Sequence, residues 1–227
     1  MAGSLYIVST PIGNLKDITK RSLEVLSDVD LIAAEDTRVT KRLLNHFDIK
    51  NNLISYNNYN ENKKYEYLLD VLKSNKDVAI VSDAGTPCIS DPGYKIVNAA
   101  NILGFNVLTV PGPNSAIAAL SISGLPCDAF YFQGFLPKKK GRTKRLNYLK
   151  ELDCTIIIFE SPKRLLKTLN DISFVLGNRV VSLCKELTKL HENIIFGYLD
   201  NVIKELDTQI KGEYIILVAK EKYNIDE

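Results

Sequence analysis

No stretch of about 18 consecutive apolar residues occurs in this chain, so a membrane-spanning helix is not expected. The opening residues MAGSLYIVSTPIGN lack the basic start of a secretory signal and run directly into a strand-like pattern. Histidine is scarce, present only at His46 and His191, and the four cysteines, Cys88, Cys127, Cys154 and Cys184, form no C-x-x-C pair. A structural zinc site and a disulfide framework are therefore not expected, no metal is called for, and a reducing cytoplasm fits best. Neither G-x-G-x-x-G nor G-x-x-x-x-G-K-[ST] is present, which argues against a dinucleotide dehydrogenase or a P-loop NTPase.

Acidic residues are missing from one place in particular. The formal net charge is only +2, yet Lys138 to Arg145 (KKKGRTKR) holds six basic residues and no acid. Taking those six from the 29 leaves 23 basic against 27 acidic residues, a net of −4 for the rest. Positive charge gathered in one segment is what a polyanion contact requires, although a solvated basic helix start is the commoner fate of such runs.

At 227 residues and 45% hydrophobic, the chain can bury one large or two small cores. Strand-like and helix-like segments alternate. Leu5 to Ser9, Leu31 to Ala34, Val78 to Ser82 and Val107 to Val110 are continuous apolar runs, as strands covered on both faces of a parallel sheet would be. Tyr65, Leu68, Leu69 and Leu72 repeat at helical spacing. Asp91-Pro92-Gly93 reads as a helix cap followed by proline at the first helical position, and Gly104 as that helix's end. A second series starts near Ala129. It has a strand through Tyr131, Phe132 and Phe135, the basic run, a strand over Thr155 to Phe159, and a helix capped by Ser161-Pro162 with a Leu165, Leu169, Ile172, Leu176 stripe. Val180 to Leu183 and Tyr214 to Val218 supply further strands. The Ser123-Gly124-Leu125-Pro126 stretch divides the chain into α/β domains at 1–124 and 125–227, with neither repeat nor low-complexity linker.

Three loops follow strands and are rich in glycine, proline and small polar residues: Ser9 to Asn14, Ser82 to Gly93, and Pro111 to Ser115. In an open parallel sheet such strand ends form the ligand crevice, where glycine permits close backbone approach and proline stiffens the loop. Pro11, Gly13 and Asp83 are candidate ligand residues on this ground. Asp83 can accept a hydrogen bond from a ligand or favour its positive charge, or can cap its own turn.

The segments STPIGNLKDIT, LIAAEDTRVTKRLL, VSDAGTPCISDPG, PGPNSAIAALSISGLP, FQGFLPKKKG, FESPKRLL and KELTKLHENIIFG occur in that order. Together they resemble the ribosomal RNA small subunit methyltransferase I family, within the wider tetrapyrrole methylase fold, from Leu5 to about Val218. The resemblance implies two α/β domains, a parallel-sheet N-terminal one and a mixed-sheet C-terminal one, with the cofactor cleft between them. It implies S-adenosylmethionine as cofactor and 2′-O-methylation of a cytidine ribose, cytidine 1402, in 16S ribosomal RNA near the decoding centre. It also implies a homodimer. By resemblance Ala84, Gly85, Ile89, Pro111, Gly112, Asn114 and Ser115 contact the cofactor largely through backbone, and Phe159 and Leu187 cover its adenine or methionine side. Lys138, Lys139, Lys140, Arg142, Lys144 and Arg145 become RNA contacts, with Phe132 and Phe135 beside them as aromatic neighbours.

This chain departs from the family pattern at Cys88 (usually Leu), Val39 (usually His), Lys163 (often His) and Asn57-Asn58-Tyr59 (usually His-Glu-His). It is also expected to lack the small C-terminal extension of many members. A ribose hydroxyl needs a proton acceptor, and Glu35, Lys185 and Glu186 are the leading candidates, with Asp36 and Glu160 also in reach of the role. Arg38 and Lys41 can instead pair with Glu35 and Asp36. His191 can meet substrate or simply hold a loop; His46 reads as structural and Cys88 as a small apolar filler. The rival readings are a methyltransferase of the same fold acting on a tetrapyrrole or other small molecule, and a non-enzymatic RNA-binding relative.

Overall fold

The continuous apolar runs of the first half all become strands, the two central ones buried throughout and the one ending at Val110 only in part. In a computed structural model that describes residues 2–206 and 209–225, the chain divides into two units, residues up to Asn114 and residues from Ser115 onward. The first unit runs β1 (Ser4–Val8), α1 (Lys20–Asp28), β2 (Leu31–Ala34), α2 (Thr37–His46), β3 (Leu53–Ser55), α3 (Glu61–Lys73), β4 (Val78–Val81), α4 (Tyr94–Ile102), β5 (Asn106–Val110). Its sheet has the order β3-β2-β4-β1-β5, and every pairing is parallel. All four residues of β2 and of β4 are buried, as strands covered by helices on both sides must be. One face packs Leu5, Val78 and Ile80 against Leu68 and Leu72 of α3 and Ile96 of α4. The other packs Val8, Ile32 and Val81 against Leu26 of α1 and Leu44 of α2. Each of these fully buried leucines contributes about 1.5–3 kcal/mol relative to exposure.

Local chemistry sets the helix starts. Thr19 Oγ1 accepts the Ser22 N–H at 3.0 Å to begin α1, and Asp36 Oδ1 accepts the Arg38 N–H at 2.8 Å to begin α2. The predicted cap at Asp91 is not used: α4 begins at Tyr94, with Gly93 at φ 133° as its cap. Asp91 is drawn instead toward the strand-end loop described below.

The second unit runs α5 (Ser115–Ile122), β6 (Phe130–Phe135), α6 (Arg142–Lys150), β7 (Thr155–Glu160), α7 (Leu165–Leu176), β8 (Val180–Lys185), β9 (Asn193–Tyr198), α8 (Leu199–Lys204), β10 (Tyr214–Val218). Its sheet, β6-β7-β10-β8-β9, pairs β6 and β7 in parallel and the rest antiparallel, so it is mixed. One face carries a core of Ile156, Ile158, Val181 and Ile216 against α6, α7 and α8. The unit starts ten residues before the boundary read at Ser123 to Pro126, because α5 packs against β10 of this sheet. The Ser161-Pro162 cap also falls early: α7 begins at Leu165, after a turn in which the Arg164 N–H donates to Ser161 C=O at 3.0 Å. No helix among the described residues is long and apolar enough to cross a membrane.

Candidate functional site

The strand order of the first unit makes β1 and β4 neighbours, so the loops that leave their carboxyl ends meet. Thr10 and Gly85 exchange two backbone hydrogen bonds, N–H to C=O at 2.9 and 3.0 Å, closing a short antiparallel bridge. Thr10 Oγ1 donates to Ser82 C=O at 3.3 Å, and Ser9 Oγ donates to Thr86 Oγ1 at 3.2 Å. Thr86 Oγ1 in turn donates to Pro113 C=O at 3.1 Å, which ties in the loop after β5. Three loops are thus stitched into one rim by small hydroxyl side chains and main chain.

Two glycines are required by that stitching. Gly85 holds φ 83°, a left-handed conformation that other residues adopt at a cost of about 1–2 kcal/mol. Gly112 has no such backbone demand, but a Cβ there would lie 2.9 Å from Ser9 Cβ. Pro11 is buried in the rim, whereas Gly13, Asp83, Ala84, Ile89, Pro111 and Gly112 are exposed along it, and Asn114 is half-buried. The first-unit residues predicted to meet a ligand are therefore gathered, and they offer mostly backbone.

Carboxylates collect beside the rim. Glu35 follows β2, and its Oε2 accepts the Asp83 N–H at 3.3 Å; Asp83 Oδ1 accepts the Asp36 N–H at 3.0 Å. Burial raises the pKa of Glu35 and of Asp83, and neighbouring carboxylates add to it. Asp91 is pushed up to about 6, first by burial and then by the charge of Glu35, with a smaller contribution from Asp83. Asp36 behaves differently. Arg38 grips it with contacts of 2.6 to 3.2 Å and draws it down to about 2, so the predicted Arg38 pairing holds for Asp36.

The long loop after β4 contains left-handed Cys88 (φ 71°) and Ser90 (φ 66°), each costing roughly 1–3 kcal/mol unless the surroundings hold it. The holding group is Glu61, at the start of α3 and only 8% exposed. Its Oε1 accepts the Gly93 N–H at 2.9 Å and the Tyr56 hydroxyl at 3.2 Å. Cys88 Sγ fills the space at Gly93 where a Cβ would come within 2.5 Å, in keeping with a filler role. Burial pushes its thiol up to about 11. Sequence reasoning passed over Asp91, Glu61 and Tyr56. Asp91 carried a competing cap signal, and the other two lie 20 or more residues from the loop they serve.

In the second unit Phe159 is half-buried, and Phe132 and Phe135 meet it edge-on at centroid distances of 5.1 and 5.8 Å. Leu187 is buried at 8% exposure, in a segment whose neighbours Glu186 (φ 50°) and Thr188 (φ 64°) are left-handed. Glu186 Oε1 accepts Lys189 Nζ at 3.0 Å and the Glu213 N–H at 2.8 Å. Burial alone would raise its pKa, but these two hydrogen bonds and the Lys189 charge outweigh it and leave the group below its ordinary value. Lys185 ends β8 half-buried, Ser115 opens α5 half-buried, and His191 and His46 are exposed. His46 meets Phe47 edge-on at 4.7 Å.

The basic run does not behave as one piece. Lys138, Lys139, Lys140 and Lys144 are exposed, and none makes an ion pair among the described residues. Arg145 is half-buried, lying 5.4 Å over the Tyr148 ring and donating to the Tyr131 hydroxyl at 3.4 Å. Arg142, predicted as an RNA contact, is 7% exposed. Its guanidinium donates to Asp171 Oδ2 (2.7 Å), Thr168 Oγ1 (2.8 Å) and Pro137 C=O (3.2 Å). Unlike the exposed lysines beside it, Arg142 is thus turned into the unit and bonded there. Glu160, a candidate base, is likewise 3% exposed and internally bonded.

The parallel α/β unit with its stitched strand-end rim and the mixed α/β unit that follows belong to a methylase family of the tetrapyrrole class, on the match of its family model to this sequence. Residues 4–203 match the family Tetrapyrrole (Corrin/Porphyrin) Methylases. The solved structure of a diphthine synthase covers 96% of this chain and 90% of its own at a TM-score of 0.73 and 14% identity. A uroporphyrin-III C-methyl transferase from Thermus thermophilus, complexed with S-adenyl homocysteine, covers 95% and 97% at 0.65 and 18% identity. At those identities the likeness concerns the fold.

Closer sequence relatives narrow the class. Ribosomal RNA small subunit methyltransferase I of Halalkalibacterium halodurans is 48% identical over 218 residues, covering 95% of this chain and 75% of that protein. The protein of the same name from Escherichia coli O157:H7 is 50% identical over 225 residues (97% and 79%), and that of Thermotoga maritima 48% over 218 (96% and 98%). The chain belongs to the ribosomal RNA small subunit methyltransferase I family, and it is a methyltransferase.

Proposed function

We propose that this protein transfers the methyl group of S-adenosylmethionine to the 2′-oxygen of a cytidine ribose in 16S ribosomal RNA, at cytidine 1402 near the decoding centre. The observation that carries the reading is the stitched rim of the first unit, set in a chain whose relatives are small-subunit RNA methyltransferases. The rim fits the cofactor: it presents exposed main chain at Ala84 and Gly112, with Gly85 buried behind them in the bridge to Thr10, and it lies beside carboxylates whose ionised forms a positive charge would favour. The cofactor supplies an electrophilic methyl on a sulfonium. The protein's part is alignment of the two reactants, which can lower a barrier by about 7–11 kcal/mol.

A ribose hydroxyl must also lose its proton, and a base works best with a pKa near the working pH. Burial raises Glu35 above its ordinary carboxylate value, in the direction a base requires, and its carboxylate is positioned by the Asp83 N–H. Glu186 is held ionised by Lys189 and is a weak base. Lys138, Lys139, Lys140 and Lys144 supply free cations for RNA phosphates, while Pro11, Gly13, Ile89, Asn114, Ser115, Phe159 and Leu187 stay assigned to the cofactor. A cytoplasmic homodimer completes the reading, on the family resemblance.

The test is methyl transfer itself. Labelled S-adenosylmethionine is offered to small ribosomal subunits that lack the modification, and the labelled linkage is then challenged with alkali. Alkali-resistant label at the cytidine is expected; label on a base would overturn the chemistry, and label only on a tetrapyrrole acceptor would move the enzyme to another branch of the fold.

The carboxylates predict a pH signature. Binding a sulfonium favours the ionised forms of Asp91, Glu35 and Asp83, so affinity for S-adenosylmethionine should fall as pH drops below about 6. The limit is about tenfold per pH unit for one such group. S-adenosylhomocysteine, with a neutral thioether, should respond much less. Calorimetric titrations of both at pH 5 and 7.5 check this, and an identical response of the two ligands would detach the carboxylates from the sulfonium.

A further inference from the structure

β6 reads FYFQGF over Phe130–Phe135, and strict alternation would put Phe135 on the opposite face from Phe130 and Phe132. The register shows otherwise. Phe130 pairs with Thr155, Phe132 with Ile157, then Gly134 with Ile158 and Phe135 with Phe159, so a bulge at Gln133 takes up one residue. The bulge returns Phe135 to the face shared by Phe130, Phe132 and Phe159. Tyr131, Ile156 and Ile158 fill the opposite, helix-covered face, where they join the core.

The result is a row of phenylalanines along an edge strand. Phe135 is 56% exposed and Phe130 43% exposed. A perpendicular contact with Phe159 at 5.8 Å positions the Phe135 ring, which remains more than half exposed. Exposed apolar rings grouped on one face of an edge strand form the kind of patch that marks an interaction surface. Three residues beyond Phe135 begin Lys138, Lys139 and Lys140, exposed and without ion pairs among the described residues. Exposed aromatic rings followed in the chain by exposed lysines suit a strand of phosphates with splayed bases, because every nucleobase has a π-face and a duplex hides it.

We propose that the Phe130–Phe135 face of β6 is a stacking platform for unpaired RNA bases, with Lys138, Lys139 and Lys140 holding the adjoining phosphates. The proposal rests on RNA being the substrate and adds that the segment engaged is single-stranded. An enzyme so built takes its target nucleotide already unstacked, or pulls it out of the stack as it binds.

The experiment measures binding of a fluorescent ten-nucleotide RNA, alone and annealed to its complement, across a salt series. The single strand should bind more tightly than the duplex. Phe135→Leu should weaken the single strand by about tenfold or more with an unchanged salt slope, and Phe135→Trp should restore it. Replacing Lys138, Lys139 and Lys140 with Gln should instead flatten the slope. Unchanged affinity in Phe135→Leu, or equal binding of duplex, overturns the platform while leaving the RNA reading intact. Wild-type protein that binds neither form removes both. A Phe135→Leu variant that binds RNA normally but sediments as a smaller species would make this face a contact between protein copies, and would also overturn the platform.

Discussion

Glu160→Leu is expected to lower the stability of the second unit by about 3–5 kcal/mol, the range for removing one partner of a buried, hydrogen-bonded charge pair. The carboxylate is 3% exposed at the end of β7. Its Oε1 accepts the Ser161 N–H at 2.8 Å, and its Oε2 accepts Thr168 Oγ1 at 2.6 Å and faces Arg164 Nη2 at 3.2 Å. Thr168 is shared with Arg142, which is itself bound to Asp171, so the chain Glu160, Thr168, Arg142, Asp171 ties β7 to α6 and α7. Without Glu160, Arg164 loses its carboxylate while Thr168 and Arg142 lose the acceptor that organises them. At a urea slope of about 2 kcal/mol per molar, the unfolding midpoint should fall by roughly 1.5–2.5 M. Should the variant unfold with the wild-type midpoint yet lose methyl transfer, Glu160 would have to be returned to the list of proton acceptors.

The same network explains why a charge run in a sequence is not a unit of function. KKKGRTKR looks uniform, but Gly141 at φ 82° starts α6, and helix geometry then turns Arg142 inward with Leu146 and Leu149. Lys138, Lys139 and Lys140 precede the helix and stay in solvent. Their substitution should therefore leave stability nearly unchanged, since exposed charges contribute little to it.

How much could be read without coordinates depended on how local each signal was. Continuous apolar runs such as VAIV and LIAA specify strands buried on both faces, and the parallel first sheet follows from them. The three strand-end loops were legible because glycine, proline and small hydroxyls cluster there. What escaped was set at a distance. β3, only LIS, and β9, paired with β8 at the sheet edge, carry weak patterns and owe their state to a neighbour strand. Asp91 satisfied a local cap rule and lost to tertiary burial beside Glu35. The bulge at Gln133, which decides where Phe135 points, exists only in the pairing with β7. Burial of Arg142 likewise needed Asp171 and Thr168, 29 and 26 residues away.

Gly112→Ala tests the rim with the least possible change, one methyl group. The glycine is not left-handed, so the obstacle is space alone: the new Cβ would stand 2.9 Å from Ser9 Cβ and 3.7 Å from Thr19 Cγ2. Ser9 cannot yield easily. Its N–H donates to Val110 C=O at 3.2 Å, its carbonyl accepts Ser22 Oγ at 3.3 Å, and its own hydroxyl donates to Thr86. The Pro111 to Pro113 loop must therefore move, by several tenths of an ångström to about 1 Å, to reach an ordinary carbon contact. A misplacement of that size can cost on the order of a hundredfold in rate, and that is the expected fall in kcat/KM for S-adenosylmethionine. Stability should change little, because the loop is exposed and the gain from a stiffer unfolded chain, about 0.4–1 kcal/mol, offsets much of the strain. Gly104→Ala is the contrasting case: at φ 75° with open space around it, it should lose about 1 kcal/mol of stability and keep full activity. If Gly112→Ala methylates RNA at the wild-type rate with an unaltered KM for the cofactor, the rim is not where the methyl donor lies, and the assignment built on Gly85, Asp83 and Thr86 falls with it.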